Sequence, residues 1–236
     1  ASFQLGTLAM KKVLSQVGIK FGNSIIADGS GLSRHNLVAP QTMLQVLDYI
    51  AKNEEKLWNK TETIISTTDK YGTITFANDT FLKVCEYSRE ELLGQPHSII
   101  RHPDMPKIIF KVLWDNILKG KNFHGIVKNL TKTGKYYWVV TNFCISRGYE
   151  NEITSFMAMR KAVPQIVIDK YIQPLYKKLL DIERVGGIEA SEKFMKHFIE
   201  KTGKSYTELV YAAYRECGQN TDFLSDSITF GKNPFS

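Results

Sequence analysis

The order of strand-like and helical runs between residues 61 and 163 leaves this chain few ways to fold. Thr73-Ile-Thr-Phe-Ala-Asn78 alternates with period two after the turn Asp69-Lys-Tyr-Gly72, where glycine supplies the left-handed position. Ser88-Arg-Glu-Glu91 is a capping box, whose hydroxyl and carboxylate each satisfy a free amide at a helix start. Asp104 is positioned to cap a longer helix that has Pro106 near its first turn and ends at Gly120. Three strand-like runs follow, at Phe123–Leu130, Tyr136–Ser146 and Ile153–Arg160. They are joined by Thr131–Lys135 and by a Gly148–Asn151 turn. Two strands, short helices, a long helix and three more strands specify an α+β domain. Its sheet is antiparallel, with the helices gathered on one side.

The flanking parts read differently. In the first 60 residues Leu5, Leu8, Met10, Val13, Leu14 and Val17 recur at helical spacing and stop at Gly18. After Ile25 and Ile26 comes the polar turn DGSGLSRHN. Pro40 then opens a second helix with Met43, Val46, Leu47 and Ile50 on one face. A piece of about 60 residues is close to the lower limit for a lone domain. Residues 164–236 are helical. Pro174 begins one helix with the stripe Leu175, Leu179 and Ile182 and a stop at Gly186-Gly187. A second carries Phe194, Met195, Phe198 and Ile199 and ends at Gly203. The capping box Ser205-Tyr-Thr-Glu208 starts a third, with Leu209, Val210, Ala213 and Tyr214 on its buried side. The expected division is 1–60, 61–163 and 164–236.

Composition excludes several classes. The net charge of +7 divides into +3, +4 and zero over those three parts, without a block of five or six like charges. A nucleic-acid reader would gather it on one face, so no nucleic-acid partner is expected. No apolar run approaches the ~18 residues of a membrane span, and the start is not ordered like a signal peptide. No direct membrane insertion is therefore expected. The sequence starts at Ala1 without a methionine, as a processed product or a fragment would. Three scattered cysteines, Cys85, Cys144 and Cys217, fit a reducing, cytoplasmic setting. Cys85 and Cys144 read as small buried hydrophobes.

Four stretches make the middle part recognisable: Phe76-Ala-Asn-Asp-Thr-Phe81, Glu91-Leu-Leu-Gly-Gln-Pro-His97, Arg101-His-Pro-Asp-Met-Pro106 and Gly125-Ile-Val-Lys-Asn129. With Trp114 and the pair Tyr137-Trp138, they closely resemble the flavin-carrying PAS domain of bacterial aerotaxis receptors, over residues 62–163. The resemblance implies a five-stranded antiparallel sheet, short helices on one face and a ligand pocket between them. It also implies an FAD cofactor, and a site that includes Arg101, His102, Asp104 and Trp114. Residues 5–57, with Gly22-Asn-Ser-Ile-Ile-Ala-Asp-Gly-Ser-Gly-Leu-Ser-Arg-His-Asn36 and Ala39-Pro40, resemble a stretch of D-alanyl-D-alanine carboxypeptidases of the penicillin-binding type. Those enzymes need Ser-x-x-Lys, Ser-x-Asn and Lys-Thr-Gly around one pocket. The chain has neither of the first two, and its Lys-Thr-Gly tripeptides, at Lys132 and Lys201, fall in a hairpin turn and at a helix end. The segment reads as a transplanted or truncated fragment, and no catalytic residue is assigned.

The candidate residues also have plainer readings. Asp104 before a helix caps it, with Arg101 and His102 solvated; the same geometry can hold the phosphates or tune the ring of a dinucleotide. Trp114 lies on a stripe with Phe110 and Leu118, apart from Ile109, Val112 and Leu113, and serves either core or ring system. Asn78, also a candidate for the cofactor site, ends a strand. Asn129 sits inside one, opposite in face to Ile126 and Lys128, either as a structural amide or on the isoalloxazine edge. His97 is the candidate ligand if the cofactor is haem, while His124 at a strand start reads as a surface group, as do His35 and His197. The functional expectation is a redox or oxygen sensor in bacterial aerotaxis or chemotaxis that signals to a chemoreceptor-type transducer or another signalling protein. The C-terminal helices would be its docking or homodimer surface. A haem gas sensor and a cofactor-free interaction PAS are the alternatives.

Overall fold

The structure, a computed structural model, describes residues 8, 11–16, 18–24 and 39–225, without the side chains of residues 48 and 50–52. They fall into two units, one within 1–55 and 133–135 and the other within 56–132 and 136–225.

In the first unit residues 11–16 are helical, and Gly18 follows at φ +85°. Helix α1 spans Pro40–Lys52, opening at the expected proline. Its anchor is polar. Thr42 donates to the Lys20 and Phe21 carbonyls at 3.1 and 3.0 Å, and Ser24 donates to Thr42 at 2.9 Å. Of the expected apolar face, Val46 is half-buried while Met43 and Leu47 are exposed among the described residues, as are Leu8, Val13 and Leu44. Leu5, Met10, Val17, Ile25, Ile26, the following turn and His35 lie outside the described residues.

The second unit is built on the expected sheet. Strands β1 (Ile64–Asp69), β2 (Ile74–Ala77), β3 (Gly125–Leu130), β4 (Tyr136–Arg147) and β5 (Ile153–Ala162) form one antiparallel sheet in the order β2-β1-β5-β4-β3. Gly72, at φ +87°, makes the β1–β2 turn. Between β2 and β3 the chain crosses one face as α2 (Asp79–Cys85), α3 (Arg89–Leu92), a 3-10 turn (His97–Ile100) and α4 (Lys107–Ile117). The Ser88–Glu91 capping box is complete. Ile64, Phe81, Leu92, Ile109 and Val139 are fully buried between these layers.

The opposite face of β3 and β4 is covered by the chain's own C-terminal helices: α5 (Gln173–Thr202), α6 (Tyr206–Glu216) and α7 (Asp222–Ser225). Tyr176 donates to the Ile126 carbonyl, its ring lies 6.0 Å from Trp138, and Tyr206 stacks on Phe123 at 5.2 Å. These helices share one continuous core with the sheet. Since β3 is an edge strand, they also shield it from pairing with other chains. His124, expected at the surface, is consequently 6 % exposed, and neither ring nitrogen has a partner among the described residues. Burial lowers its pKa.

Pro174 does not begin its helix as expected, because the chain is already helical from Gln165 and passes through a π-helical stretch at Ile168–Ile172. That widened stretch lies where the proline ring would otherwise crowd the preceding turn. The expected stop at Gly186-Gly187 is a break inside α5, where Gly187 adopts φ +69°, ψ −171°. Cys85 is buried, and burial pushes its thiol up to about 11. Cys144, expected inside, is only half-buried. No helix among the described residues is long and apolar enough to cross a membrane.

Candidate functional site

Between the sheet and α4 lies a cavity of about 270 Å³. Helix α4 supplies Phe110, Leu113, Trp114 and Ile117, and the sheet supplies Val127, Phe156 and Ala158. Those apolar walls follow from two periodicities. Residues three and four apart share a helix face, and every second residue of a strand points the same way. Leu113 thus joins Trp114 on the cavity side, whereas Leu118, placed on the Trp114 stripe by sequence, is exposed. Trp114 meets Phe156 edge-to-face at 5.8 Å.

Polar groups enter this apolar wall at few points. Asn129 and Thr141, from the paired strands β3 and β4, are both buried, and Thr141 Oγ1 has no hydrogen-bond partner among the described residues. Arg160 on β5 is 4 % exposed, and no carboxylate pairs with it among the described residues. Its guanidinium donates to Ser66 Oγ at 2.9 Å, to the Ala158 carbonyl at 3.4 Å and to His97 Nε2 at 2.9 Å. Burial lowers its pKa to about 10. A buried cation held only by neutral acceptors retains unspent attraction for a negative or electron-rich group.

His97 is bound into this arrangement. It accepts from Arg160 through Nε2, which places its proton on Nδ1, and its ring stacks on Phe81 at 6.0 Å. Burial, then the Arg160 charge, with Arg101 adding a smaller push, drives its pKa down to about 3 from 6.5. The unfolded chain therefore protonates His97 as pH falls through 6.5, and the folded protein does so only near 3. Between those values the unfolded state binds more protons, so stability declines with falling pH by up to about 1.4 kcal/mol per unit. Urea titrations from pH 7 to 4 should show this slope in the wild type, and His97→Gln should remove most of it. An unchanged slope in the variant would assign the acid sensitivity elsewhere.

Of the residues named from sequence, Arg101, Trp114, Asn129 and His97 line the cavity. Arg101 is exposed at its rim, with its guanidinium 3.6 Å from the centre of the Phe110 ring. Asn78, His102 and Asp104 do not line it. Asn78 caps α2 and ties it to β1. Its Oδ1 accepts from the Phe81 and Ile65 amides, both at 3.0 Å, and Nδ2 donates to the Thr63 carbonyl. His102 is buried, and its Nδ1 accepts from the Asp104 amide at 3.0 Å. Asp104 faces solvent and pairs with Lys128 at 3.2 Å. Nor does Asp104 cap α4: Pro106 is the N-cap residue, and the first amides are taken by Glu183 of α5. Sequence reading passed over Arg160 and Thr141. The signal for Arg160 was an arginine in register with Phe156 and Ala158 on an inward strand face.

Comparison with known proteins agrees with this architecture. Residues 74–159 match the PAS fold family and residues 1–75 match the D-Ala-D-Ala carboxypeptidase 3 (S13) family. The chain is 42 % identical over 131 residues to the aerotaxis receptor of Escherichia coli, covering 56 % of this chain and 25 % of the receptor. It is 79 % identical over 57 residues to the D-alanyl-D-alanine carboxypeptidase DacB of Haemophilus influenzae, covering 24 % of this chain and 12 % of that protein. The chain thus spans a quarter or less of either relative. A solved PAS domain from Colwellia psychrerythraea aligns with 53 % of this chain and 97 % of its own, at 18 % identity and a TM-score of 0.41. Although the carboxypeptidase match runs to residue 75, β1 (Ile64–Asp69) belongs to the sheet, where it pairs with β5.

Proposed function

We propose that this PAS domain is a sensor that holds FAD non-covalently in the cavity between sheet and α4, and that it reports the flavin's oxidation state to a signalling partner. The observation that carries this reading is the cavity wall itself, in which apolar and aromatic surfaces are interrupted by Arg160, Asn129 and the unpartnered Thr141 hydroxyl. A flavin ring needs that combination, because its faces are apolar and its edge carries hydrogen-bonding groups. The 42 % identity with the aerotaxis receptor supports the same assignment, with a chemoreceptor-type transducer as the partner class.

The roles divide by chemistry. Trp114 and Phe110 would flank the ring. Asn129 and Thr141 would hydrogen-bond its edge, and Arg160 would face whichever edge atom carries the most negative charge. Arg101 at the rim is placed for the phosphates of a dinucleotide tail. The bound flavin supplies reversible electron uptake, and its charge changes with its redox state. Arg160 and the neutral His97 beside it would register that charge through the hydrogen bond they share.

Haem fits less well. The Nε2 lone pair of His97 is committed to Arg160, and the cation would lie beside the metal. The N-terminal segment lacks the Ser-x-x-Lys nucleophile, so the resemblance to a carboxypeptidase carries no hydrolase assignment.

An absorption spectrum of the purified full chain, before and after dithionite, tests the proposal. Two broad near-ultraviolet and blue bands that bleach on reduction are expected. A sharp Soret band would replace flavin with haem, and a protein that stays colourless after incubation with FAD would leave an interaction PAS.

A further inference from the structure

Helix α4 forms one wall of the cavity, yet its N-terminus is closed by a residue from far along the chain. Its N-cap residue, Pro106, contributes no side-chain hydrogen bond. The exposed amides at the start of a helix require acceptors, and a carboxylate is a strong one. Glu183 of α5 supplies both oxygens. Oε2 accepts from the Lys107 amide at 3.0 Å and Oε1 from the Ile108 amide at 2.9 Å. Oε1 also lies 3.1 Å from the fully buried Ser191 hydroxyl, which shares its one proton between Glu183 and the Ile188 carbonyl at 2.9 Å. In a straight helix Glu183 and Ser191 would stand about 12 Å apart along the axis. The left-handed Gly187 between them breaks α5 and folds its second half back within reach. One carboxylate therefore joins the start of α4 to both halves of α5. A second tie lies one turn further along α4, where Lys111 meets Glu192 at 3.1 Å.

From this arrangement we infer that the two halves of α5 form a latch on the PAS domain, and that Glu183 is the positioning residue through which cavity contents set its hold. Phe110, Leu113, Trp114 and Ile117 all line the cavity from α4, so a displaced wall moves the Lys107 and Ile108 amides with it. Two hydrogen bonds with defined direction respond steeply to such a shift. The halves of α5 share this one acceptor, so a weakened cap also loosens the Ser191 side of the Gly187 break. The output would be a change in how firmly residues 188–202 are held. The latch follows from the described contacts alone. Only the identity of the occupant that works it rests on the flavin assignment above.

Amide hydrogen exchange on the full chain tests the latch in two arms. In the first, FAD-incubated protein is compared oxidised and dithionite-reduced. Exchange across residues 188–202 should differ by about 5-fold or more, the lower range of functional coupling. Glu183→Ala should remove most of that difference while the flavin spectrum persists. The second arm needs no cofactor. Leu113→Ala disturbs the α4 wall from the cavity side, and it should change exchange over 188–202 in the wild-type background and much less in the Glu183→Ala background, where only the Lys111–Glu192 tie remains. Glu183→Gln, which keeps one acceptor, should fall between. Equal responses with and without Glu183, or no response of 188–202 to Leu113→Ala in the wild type, would overturn the latch. A colourless protein that passes the second arm would remove the flavin assignment and leave the latch standing.

Discussion

Replacing Arg160 with methionine is expected to lower FAD affinity by about 10- to 150-fold, the loss of one charge-assisted hydrogen bond worth about 1.5–3 kcal/mol. The melting temperature of the flavin-free protein should move little. Two opposing changes produce that result. Methionine is comparably long and removes a cation that is buried with no carboxylate partner, which relieves a desolvation penalty. Against this, Ser66 and the Nε2 of His97 lose their donor, a cost of about 1–3 kcal/mol that their own 3.5 Å contact limits. A flavin bound as proposed would meet only the loss, because the group that answers its charge would be gone. Isothermal titration with FAD, alongside thermal melts without it, separates the two quantities. Wild-type affinity in Arg160→Met would remove Arg160 from the site. Arg160→Lys then tells charge from geometry, since lysine keeps the first without the planar fork that reaches Ser66 and His97 together.

Phe81→Ala should be the most damaging single change to stability, at about 3–5 kcal/mol. Its ring is fully buried, stacks on His97 and lies under the Arg160 guanidinium at 5.7 Å. Removing it opens a void behind the pair that shapes the cavity floor. Neither neighbour collapses freely into the space: Ser66 and the Ala158 carbonyl hold Arg160, and His97 is tied to Arg160 and, through its backbone amide, to Gly72. At roughly 2–4 °C per kcal/mol for a chain of this size, the melting temperature should fall by about 6–20 °C. Circular dichroism melts of the whole chain measure it, and saturating FAD should recover part of the loss through linkage. A fall of under 2 °C would mean that α2 and the histidine repack freely. The cavity floor would then lack the rigidity that a redox reading requires.

Both variants act on groups that only the folded chain brings together. Ser66, His97 and Arg160 come from β1, the 3-10 turn and β5, and their sequence separations of 31, 63 and 94 residues leave no local signature. Asn78 shows the reverse case. It stands immediately before α2 and is a candidate for the cofactor site by sequence, but its amide is consumed by Ile65, Phe81 and Thr63. A strand-ending asparagine looks the same in sequence whether its partner is a ligand or the neighbouring backbone. Asp104 was misjudged for a related reason. Its spacing before α4 suits a cap, but a lysine on β3 draws its carboxylate away and a glutamate on α5 occupies the amides.

The sequence by itself determined the number, order and direction of the strands, the Ser88 and Ser205 capping boxes and the break at Gly187. It also determined which face of β3 carries Asn129. These follow from dihedral preferences and short periodicities that operate within a few residues. The tertiary structure decided which polar groups meet in the cavity and which are spent on the backbone. It decided that His124 is buried with its ring unpartnered among the described residues, and that the C-terminal helices cover the sheet instead of standing apart from it. Each of those outcomes is a competition for one donor or acceptor between partners distant in the chain. Distance and desolvation settle such competitions, and neither exists until the layers have packed.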